Sequence, residues 1–293
     1  MMSALANIPF RKMNGLGNDF VVLDGRTRAL AVSEADARAI ADRQTGIGCD
    51  QLIIIEPPRE GGDCFMTIRN ADGGEVEACG NAARCIGRLL LDETGKPQVT
   101  IETLGGPTRA SAAETPGAVS VDMGAPRLKW NEIPLSEEIA DTRGIELQIG
   151  PLDAPILHTP AVVNIGNPHA IFFVADDPDA YALDQIGPML EHHPLFPARA
   201  NISIAHVADT THIKLRTWER GVGLTRACGT AACATTVAAH RKRLTGRHVT
   251  VTLPGGDLDI HWREEDDHVI MTGPATLDFE GTLGPGLFQA AAP

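Results

Sequence analysis

The sequence predicts an α+β protein of two homologous halves related by pseudo-two-fold symmetry, each a strand-rich mixed sheet or barrel wrapped around a central helix. Short β-rich runs outnumber helical segments and do not alternate strictly with them, which disfavours a doubly wound parallel sheet. Several short motifs occur twice at a nearly constant separation. Around residues 231–239, small or apolar side chains cover every side of a predicted helix, as is typical of a helix surrounded by protein.

The repeat is clearest around two cysteines. Residues 78–83 read ACGNAA, and residues 227–232 read ACGTAA, 149 positions later. The Gly-Asn pair at 17–18 recurs at 166–167 with the same offset, and three further matches keep this order with one residue of drift. Such constancy indicates a duplicated fold rather than coincidence between glycine-rich turns.

The length of 293 residues agrees with two domains of ordinary size. We place the N-terminal half at residues 1–127 and the C-terminal half at 128–278. The C-terminal segment, from about residue 279 to 293, is expected to return to the first half. The junction falls in a stretch that contains proline and glycine, residues 124–134.

The strand predictions rest on short runs rich in β-branched and aromatic residues. In the first half these runs are 20–23, 52–55, 64–68, 99–103 and 119–123. In the second half they are 161–165, 170–174, 202–207, 213–218, 249–253 and 269–271. Ser33 is a suitable N-cap for a helix over 34–43. A second helix is predicted over 182–192, and two more follow Cys79 and Cys228.

The composition excludes several classes of function. The net charge is −13 and the five lysines are scattered singly, so nucleic acid and anionic membrane surfaces are poor partners. The longest apolar run has six residues, against about 18 for a membrane span. The N-terminus lacks the pattern of a signal peptide, so we expect a cytoplasmic protein whose six cysteines are reduced.

Cys79 and Cys228 are the strongest candidates for chemistry, because each precedes a glycine and opens a predicted helix. A helix N-terminus carries unpaired N–H groups and partial positive charge, which is expected to lower a thiol pKa. The same N–H groups, from Gly80 and Asn81 in one half and Gly229 and Thr230 in the other, can hold a carboxylate.

A matched cysteine in each half suggests one site with a thiol on either face of a substrate carbon. One thiolate would remove a proton from one face and the partner thiol would return one to the other, which inverts the centre. Acid–base groups contribute about 10²–10⁴-fold each, which is too little alone for a weakly acidic α-proton. The helix N–H groups must therefore stabilise the developing charge. This reaction needs no cofactor and no metal.

Other chemistries have weaker support. Cys49, Cys64, Cys85 and Cys233 are interpreted as small buried residues. The sequence contains no CxxC, GxSxG, HExxH, P-loop or GxGxxG motif, and none of its lysines stands in a context that suggests a Schiff base. The alternative to an enzyme that inverts a carbon centre is a thiol redox or metal-binding protein that uses Cys79 and Cys228.

Six motifs together resemble the diaminopimelate epimerase family. In order along residues 10–283 they are MNGLGNDF at 13–20, GIGCDQ at 46–51, NADG at 70–73, ACGNAAR at 78–84, GNPH at 166–169 and the stretch from WERG at 218–221 to CGT at 228–230. The resemblance implies an isomerase of lysine and peptidoglycan-precursor synthesis that interconverts LL- and meso-diaminopimelate without a cofactor, with Cys79 and Cys228 as the acid–base pair. It also implies a homodimer.

The resemblance further assigns roles to side chains around the two cysteines. Gly80-Asn81 and Gly229-Thr230 would clamp the carboxylate at the reacting centre, and His169 and Glu219 would tune the thiols. The remaining substrate-binding residues would be Asn18, Gln51, Asn70, Asn167, Asn201, Glu219 and Arg220. Ala82 and Ala231 stand where the family often has glycine, and an intact site is still expected. A related cofactor-independent amino-acid racemase or isomerase of the same fold is the enzymatic alternative.

Overall fold

Strands dominate the computed structural model, which describes residues 5–288. Within these residues the strands are β1 (Pro9–Gly15), β2 (Asn18–Asp24), β3 (Gln51–Glu56), β4 (Cys64–Asn70), β5 (Glu75–Val76), β6 (Gln98–Glu102), β7 (Thr108–Ala112), β8 (Ala118–Asp122), β9 (Gln148–Ile149), β10 (Leu157–His158), β11 (Ala161–Asn164), β12 (Pro168–Val174), β13 (Asn201–Asp209), β14 (His212–Glu219), β15 (Gly223–Leu224), β16 (His248–Leu253), β17 (Gly256–Trp262), β18 (Val269–Pro274) and β19 (Thr276–Thr282). The α-helices are α1 (Glu34–Ala41), α2 (Gly80–Thr94), α3 (Leu183–Glu191) and α4 (Gly229–Arg241). The predicted α+β class is confirmed.

The chain divides into two compact units. One contains the described residues up to Val121 and those from Gly273 onward, and the other runs from Asp122 to Thr272. Among the described residues, no helix is long and apolar enough to cross a membrane.

The two units repeat one pattern of strand pairing. In the first, β2 is parallel to β3, β4 is parallel to β6, and β1–β2, β3–β4, β4–β5 and β6–β7 are antiparallel. In the second, β12 is parallel to β13 and β14 to β16, while β11–β12, β13–β14, β14–β15 and β16–β17 are antiparallel. α1 and α3 begin 149 residues apart, as do α2 and α4. The sequence repeat is therefore a repeat of structure.

α4 is the helix that most closely matches the sequence expectation. Its residues from Ala231 to Ala239 are all buried, so it has no exposed stripe along this stretch. α2 is buried from Asn81 to Gly87, whereas its last turn is exposed. Burial on every side of α4 explains why its side chains are small, because strands can then approach its backbone closely.

α1 shows how local chemistry sets its ends. Ser33 is its N-cap, and the hydroxyl of Ser33 accepts the Asp36 N–H while the Asp36 carboxylate accepts the Ser33 N–H. The helix ends at Ala41, two residues before the predicted end, because the Asp42 carboxylate instead accepts the amides of Gln44 and Thr45. Ala37, Ile40 and Ala41 bury its apolar face in the core of the first unit.

The N-terminal residues differ from expectation. Because residues 1–8 precede the stretch that resembles the family, we expect them to be frayed. In the structure, however, Leu5 and Ile8 lie in the same apolar core as α1, and the Asn7 N–H donates to the Leu283 carbonyl. The apolar character of Leu5 and Ile8 outweighs their place near the terminus. Residues 1–4, which we expect to be frayed, lie outside the described residues. So do residues 289–293, the end of the segment that we expect to return to the first half.

Candidate active site

Cys79 is the N-cap of α2 in the first unit. Its backbone is extended, with φ −147° and ψ 113°, and the first helical turn consists of the uncharged residues Gly80, Asn81 and Ala82. The positive end of the helix is therefore not neutralised by an acidic side chain of its own first turn. Cys79 is partly exposed.

The four predicted amide side chains of this unit form two hydrogen-bonded pairs. Asn81 Nδ2 donates to Asn18 Oδ1 at 3.2 Å. Gln51 Nε2 donates to Asn70 Oδ1 at 2.9 Å, and the two residues face each other across the antiparallel pair β3–β4. The strand that carries Gln51 also pairs with β2, which begins at Asn18. The fold thus brings these predicted residues together in pairs.

Asp50 orients Asn18, a role that the motif did not reveal. Asp50 Oδ2 accepts from Asn18 Nδ2 at 2.8 Å, and Arg43 donates to Asp50 Oδ1 at 2.7 Å. An ionised carboxylate only accepts hydrogen bonds, so the Asn18 amide must turn its NH₂ group to Asp50 and its oxygen to Asn81.

Asp19, the residue after Asn18, is a second carboxylate bound by Arg43. Burial of Asp19 opposes ionisation, but hydrogen bonds from Arg43 and Lys12 keep the pKa of Asp19 well below its usual range.

Cys228 is the N-cap of α4 in the second unit and is only 3% exposed. Its Sγ lies 3.5 Å from the Thr230 hydroxyl. Burial, and next the Glu219 carboxylate, raise the pKa of the Cys228 thiol well above its usual range, although contacts with Thr230 and the Ala231 N–H oppose the shift. The expected lowering of this pKa by the helix N-terminus is therefore wrong for Cys228, because burial and a neighbouring negative charge outweigh the helix.

Glu219 lies beside Cys228. Its carboxylate accepts a hydrogen bond from the Cys228 thiol and another from the hydroxyl of Thr225. Thr225 lies six residues after Glu219, beyond β15, and no sequence signal identified it. The Glu219 carboxylate therefore favours the protonated form of the Cys228 thiol.

Asn201 holds the backbone at Arg220, one of the predicted substrate-binding residues. Its Oδ1 accepts the Arg220 N–H at 2.9 Å, and its Nδ2 donates to the Pro168 carbonyl at 3.0 Å. Arg220 itself is exposed, and its guanidinium donates to the Ala198 carbonyl at 3.0 Å. Both ends of the Asn201 amide are therefore engaged by the backbone, and its direct effect in this unit is to position Arg220.

His169 is fully buried on β12, opposite Asn201 on β13. Burial, and then the charge of Arg220, lower the pKa of His169 to about 3, so the imidazole is neutral at physiological pH. Its Nε2 lies 2.7 Å from Asn167 Oδ1, which brings these two predicted residues together. A neutral His169 contributes a hydrogen bond rather than a positive charge to its surroundings.

The other cysteines are buried, as interpreted from the sequence. Desolvation by burial raises the pKa of Cys49 to about 11 and of Cys64 and Cys85 to about 12. Cys233 lies in the buried face of α4. Within residues 5–288 there is no group of three or more His, Cys, Asp or Glu side chains arranged to hold a metal ion.

We expect iodoacetamide to modify Cys79 about tenfold or more faster than Cys228 at about pH 8, because only a thiolate reacts and Cys228 is both buried and held protonated. The Cys228 rate should rise only at higher pH, since its raised pKa delays ionisation. Mass spectrometry of labelled peptides measures both rates, with Cys85 as an internal reference for a buried thiol. Equal rates at Cys79 and Cys228 would contradict this assignment.

The fold is shared with solved structures of racemases and epimerases. A hydroxyproline epimerase from Agrobacterium vitis matches with a TM-score of 0.68 at 14% identity, covering 97% of this chain and 94% of that chain. A probable proline racemase from Agrobacterium radiobacter K84 matches with a TM-score of 0.66 at 16% identity, covering 97% of this chain and 96% of that chain. The protein therefore has a proline racemase-type epimerase fold.

The sequence comparisons are more specific. A family model described as diaminopimelate epimerase matches residues 10–129 and 161–277. A diaminopimelate epimerase from Bradyrhizobium sp. (strain BTAi1) is 54% identical over 292 residues, which is 99% of this chain and 100% of that protein. The chain belongs to the diaminopimelate epimerase family.

Proposed function

We propose that the protein interconverts LL- and meso-diaminopimelate by a two-base mechanism that needs no cofactor. The observation that carries the proposal is the matched pair of cysteines, each the N-cap of a helix whose first turn is uncharged. Membership of the family agrees with it. Both cysteines begin a helix at equivalent positions of a duplicated fold, as a reaction that treats both faces of one carbon requires.

The proposed step moves one proton off the α-carbon and another onto it. The thiolate of one cysteine takes the α-proton, and the electron pair is delocalised into the substrate carboxylate. The thiol of the other cysteine then protonates the opposite face, which leaves its thiolate and the inverted product. The raised pKa of Cys228 favours its thiol form, which suits the proton donor in the direction of reaction in which Cys79 is the base.

The carboxylate at the reacting centre is assigned to the two helix N-termini. The N–H groups of Gly80 and Asn81, and of Gly229 and Thr230, lie at the first positions of α2 and α4. Such groups favour negative charge, and they need no reorganisation as the charge develops in the transition state. They supply the stabilisation that proton transfer alone does not.

The remote carboxylate of diaminopimelate is assigned to Arg220 and the amide side chains, whereas Glu219, whose carboxylate lies beside the Cys228 thiol, is assigned to the ammonium at the reacting centre. Arg220 suits a carboxylate and Glu219 suits an ammonium through charge-assisted hydrogen bonds. Asn18, Gln51, Asn70 and Asn167 are proposed to complete the binding set, and Asn201 is proposed to contribute by positioning Arg220. Polar groups that a shorter amino acid leaves unpaired would penalise that substrate, which provides selectivity.

The substrate assignment is tested by comparing LL-diaminopimelate with L-proline and trans-4-hydroxy-L-proline. We expect epimerisation of the first and no comparable turnover of the other two. In Arg220→Gln the KM for diaminopimelate should rise about 10–100-fold, the usual effect of losing a charge-assisted hydrogen bond. Arg143→Gln removes an exposed arginine paired with Asp141 and should leave KM unchanged. Preferred turnover of proline or hydroxyproline would instead identify a racemase of the same fold.

We also propose that the protein works in the cytoplasm as a homodimer. Leu277 and Phe279 on β19 are each about half exposed, and a dimer interface would bury such apolar side chains. β19 pairs with β1 in the first unit. Sedimentation velocity would then show a species of twice the 31.1 kDa chain mass, whereas a monomer would contradict the proposal.

A further inference from the structure

A buried carboxylate at the end of α3 holds the turn that carries Glu219 and Arg220. Glu191 is 3% exposed. Its Oε2 accepts the indole N–H of Trp218 at 2.7 Å, and its Oε1 accepts the backbone N–H of Gly221 at 2.9 Å. The two oxygens therefore bind the residue before Glu219 and the residue after Arg220.

The same face of α3 also packs against the Trp218 ring. Gly187 lies one helical turn before Glu191, so the two residues share a face. A Cβ added at Gly187 would lie 2.6 Å from Trp218 Cγ, so the helix approaches the indole as closely as a glycine allows. α3 thus fixes Trp218 both by contact with its ring and by the hydrogen bond from its N–H.

A second buried side chain holds the turn from another element. Asn201 on β13 accepts the Arg220 N–H, and Glu191 accepts the next N–H along the chain, that of Gly221. Two consecutive backbone donors are thus bound by side chains that belong to a strand and a helix. This arrangement leaves the backbone of the turn little freedom to change the direction of Glu219 and Arg220.

The hydrogen-bond chemistry requires a carboxylate at position 191. Both partners of Glu191 are N–H donors, and a carboxylate has two accepting oxygens. A glutamine has the same shape but only one accepting oxygen, so its NH₂ group must face either the indole N–H or the Gly221 N–H. One of the two N–H groups then loses its acceptor and faces the NH₂ group of the glutamine instead.

We propose that Glu191 is a positioning residue for substrate binding, which holds Trp218–Gly221 so that Glu219 and Arg220 keep their direction. The proposal rests on the proposed diaminopimelate epimerase function, since Glu219 and Arg220 are its substrate-binding residues. Glu191 itself does not touch the reacting atoms. Arg199, whose guanidinium lies 3.7 Å from Glu191 and is itself largely exposed, adds a weaker charge contact.

The test measures KM, kcat and thermal stability of Glu191→Gln with LL-diaminopimelate. We expect KM to rise about tenfold, the usual effect of losing one hydrogen bond to a charged group, and kcat to change less. Asp184→Asn is the matched control, because it removes the same charge from an exposed position of α3 and should leave KM unchanged. A Glu191→Gln enzyme with lower thermal stability but wild-type KM would overturn the proposal, since the role would then be structural only.

A second variant pair keeps the test decisive if Glu191→Gln folds poorly. Trp218→Phe removes the indole N–H, so in the double variant Trp218→Phe/Glu191→Gln the glutamine oxygen can serve Gly221 alone. We expect the KM of the double variant to stay close to that of Trp218→Phe. A KM of the double variant about tenfold above that of Trp218→Phe would overturn the proposal. A wild-type enzyme inactive on diaminopimelate would instead refute the proposed function.

Discussion

Replacing Cys79 or Cys228 by alanine is expected to reduce diaminopimelate epimerisation by at least about 10²–10⁴-fold, the usual contribution of one positioned acid–base group. In a two-base mechanism each cysteine serves one face of the carbon, so neither can substitute for the other. The loss should appear in kcat, because the substrate carboxylate would still find the N–H groups of both helices. Initial rates with LL- and with meso-diaminopimelate measure the effect in both directions.

The control for this prediction is a cysteine outside the proposed machinery. Cys64→Ala removes a fully buried thiol from β4, whose pKa is raised to about 12. We expect it to cost stability through the small cavity it leaves while kcat stays close to the wild-type value. Full epimerase activity in either Cys79→Ala or Cys228→Ala would refute the two-thiol mechanism.

Gly46→Ala is expected to destabilise the fold by more than about 3 kcal/mol, beyond the usual range for overpacking. A Cβ at this position would lie 2.2 Å from the Ala39 carbonyl oxygen, 2.7 Å from that of Asp42 and 2.8 Å from that of Ile40. All three atoms belong to backbone at the end of α1, so no side chain can move aside. The Gly46 N–H also donates to the Asp42 carbonyl at 2.9 Å, which keeps the glycine in this close contact.

Urea denaturation measures this change in the free energy of unfolding. Gly284→Ala is the matched control, because no heavy atom lies within 4 Å of the Cβ it would add. Its effect should stay within about 0.5 kcal/mol, as for most exposed substitutions. Similar stabilities for the two variants would show that the loop before Asp50 and Gln51 is not held as described.

The sequence predicted the repeated architecture because the duplication preserved glycines, cysteines and helix starts at one offset. It did not predict β1, whose Arg11 and Lys12 interrupt the apolar pattern. Lys12 is buried there because Asp19 and the Gly48 carbonyl accept its ammonium hydrogens. The Gly48 carbonyl lies 36 residues from Lys12 in the sequence, and a propensity pattern contains neither partner. β17 was missed for a similar reason, since Asp257 and Asp259 occupy its outward-facing positions.

The residues of the candidate site could be predicted from the sequence, but the hydrogen bonds that hold them could not. The cysteines follow from the repeat, and the amide and Glu-Arg positions follow from the resemblance to the family. The protonated state of Cys228 could not be predicted, because it depends on burial and on a carboxylate from β14. Asp50, Thr225 and Glu191 were missed because each acts on another protein group through hydrogen bonds that only the folded chain shows.

Solvent isotope exchange tests the central claim most directly. LL-diaminopimelate is incubated with the enzyme in D₂O, and deuterium at the α-carbon of the meso product is measured by mass spectrometry. The two-thiol mechanism predicts one solvent deuteron at the inverted centre of each product molecule, and no such product from Cys79→Ala or Cys228→Ala. Epimerisation that keeps the original proton, or that continues unchanged in either variant, would contradict it.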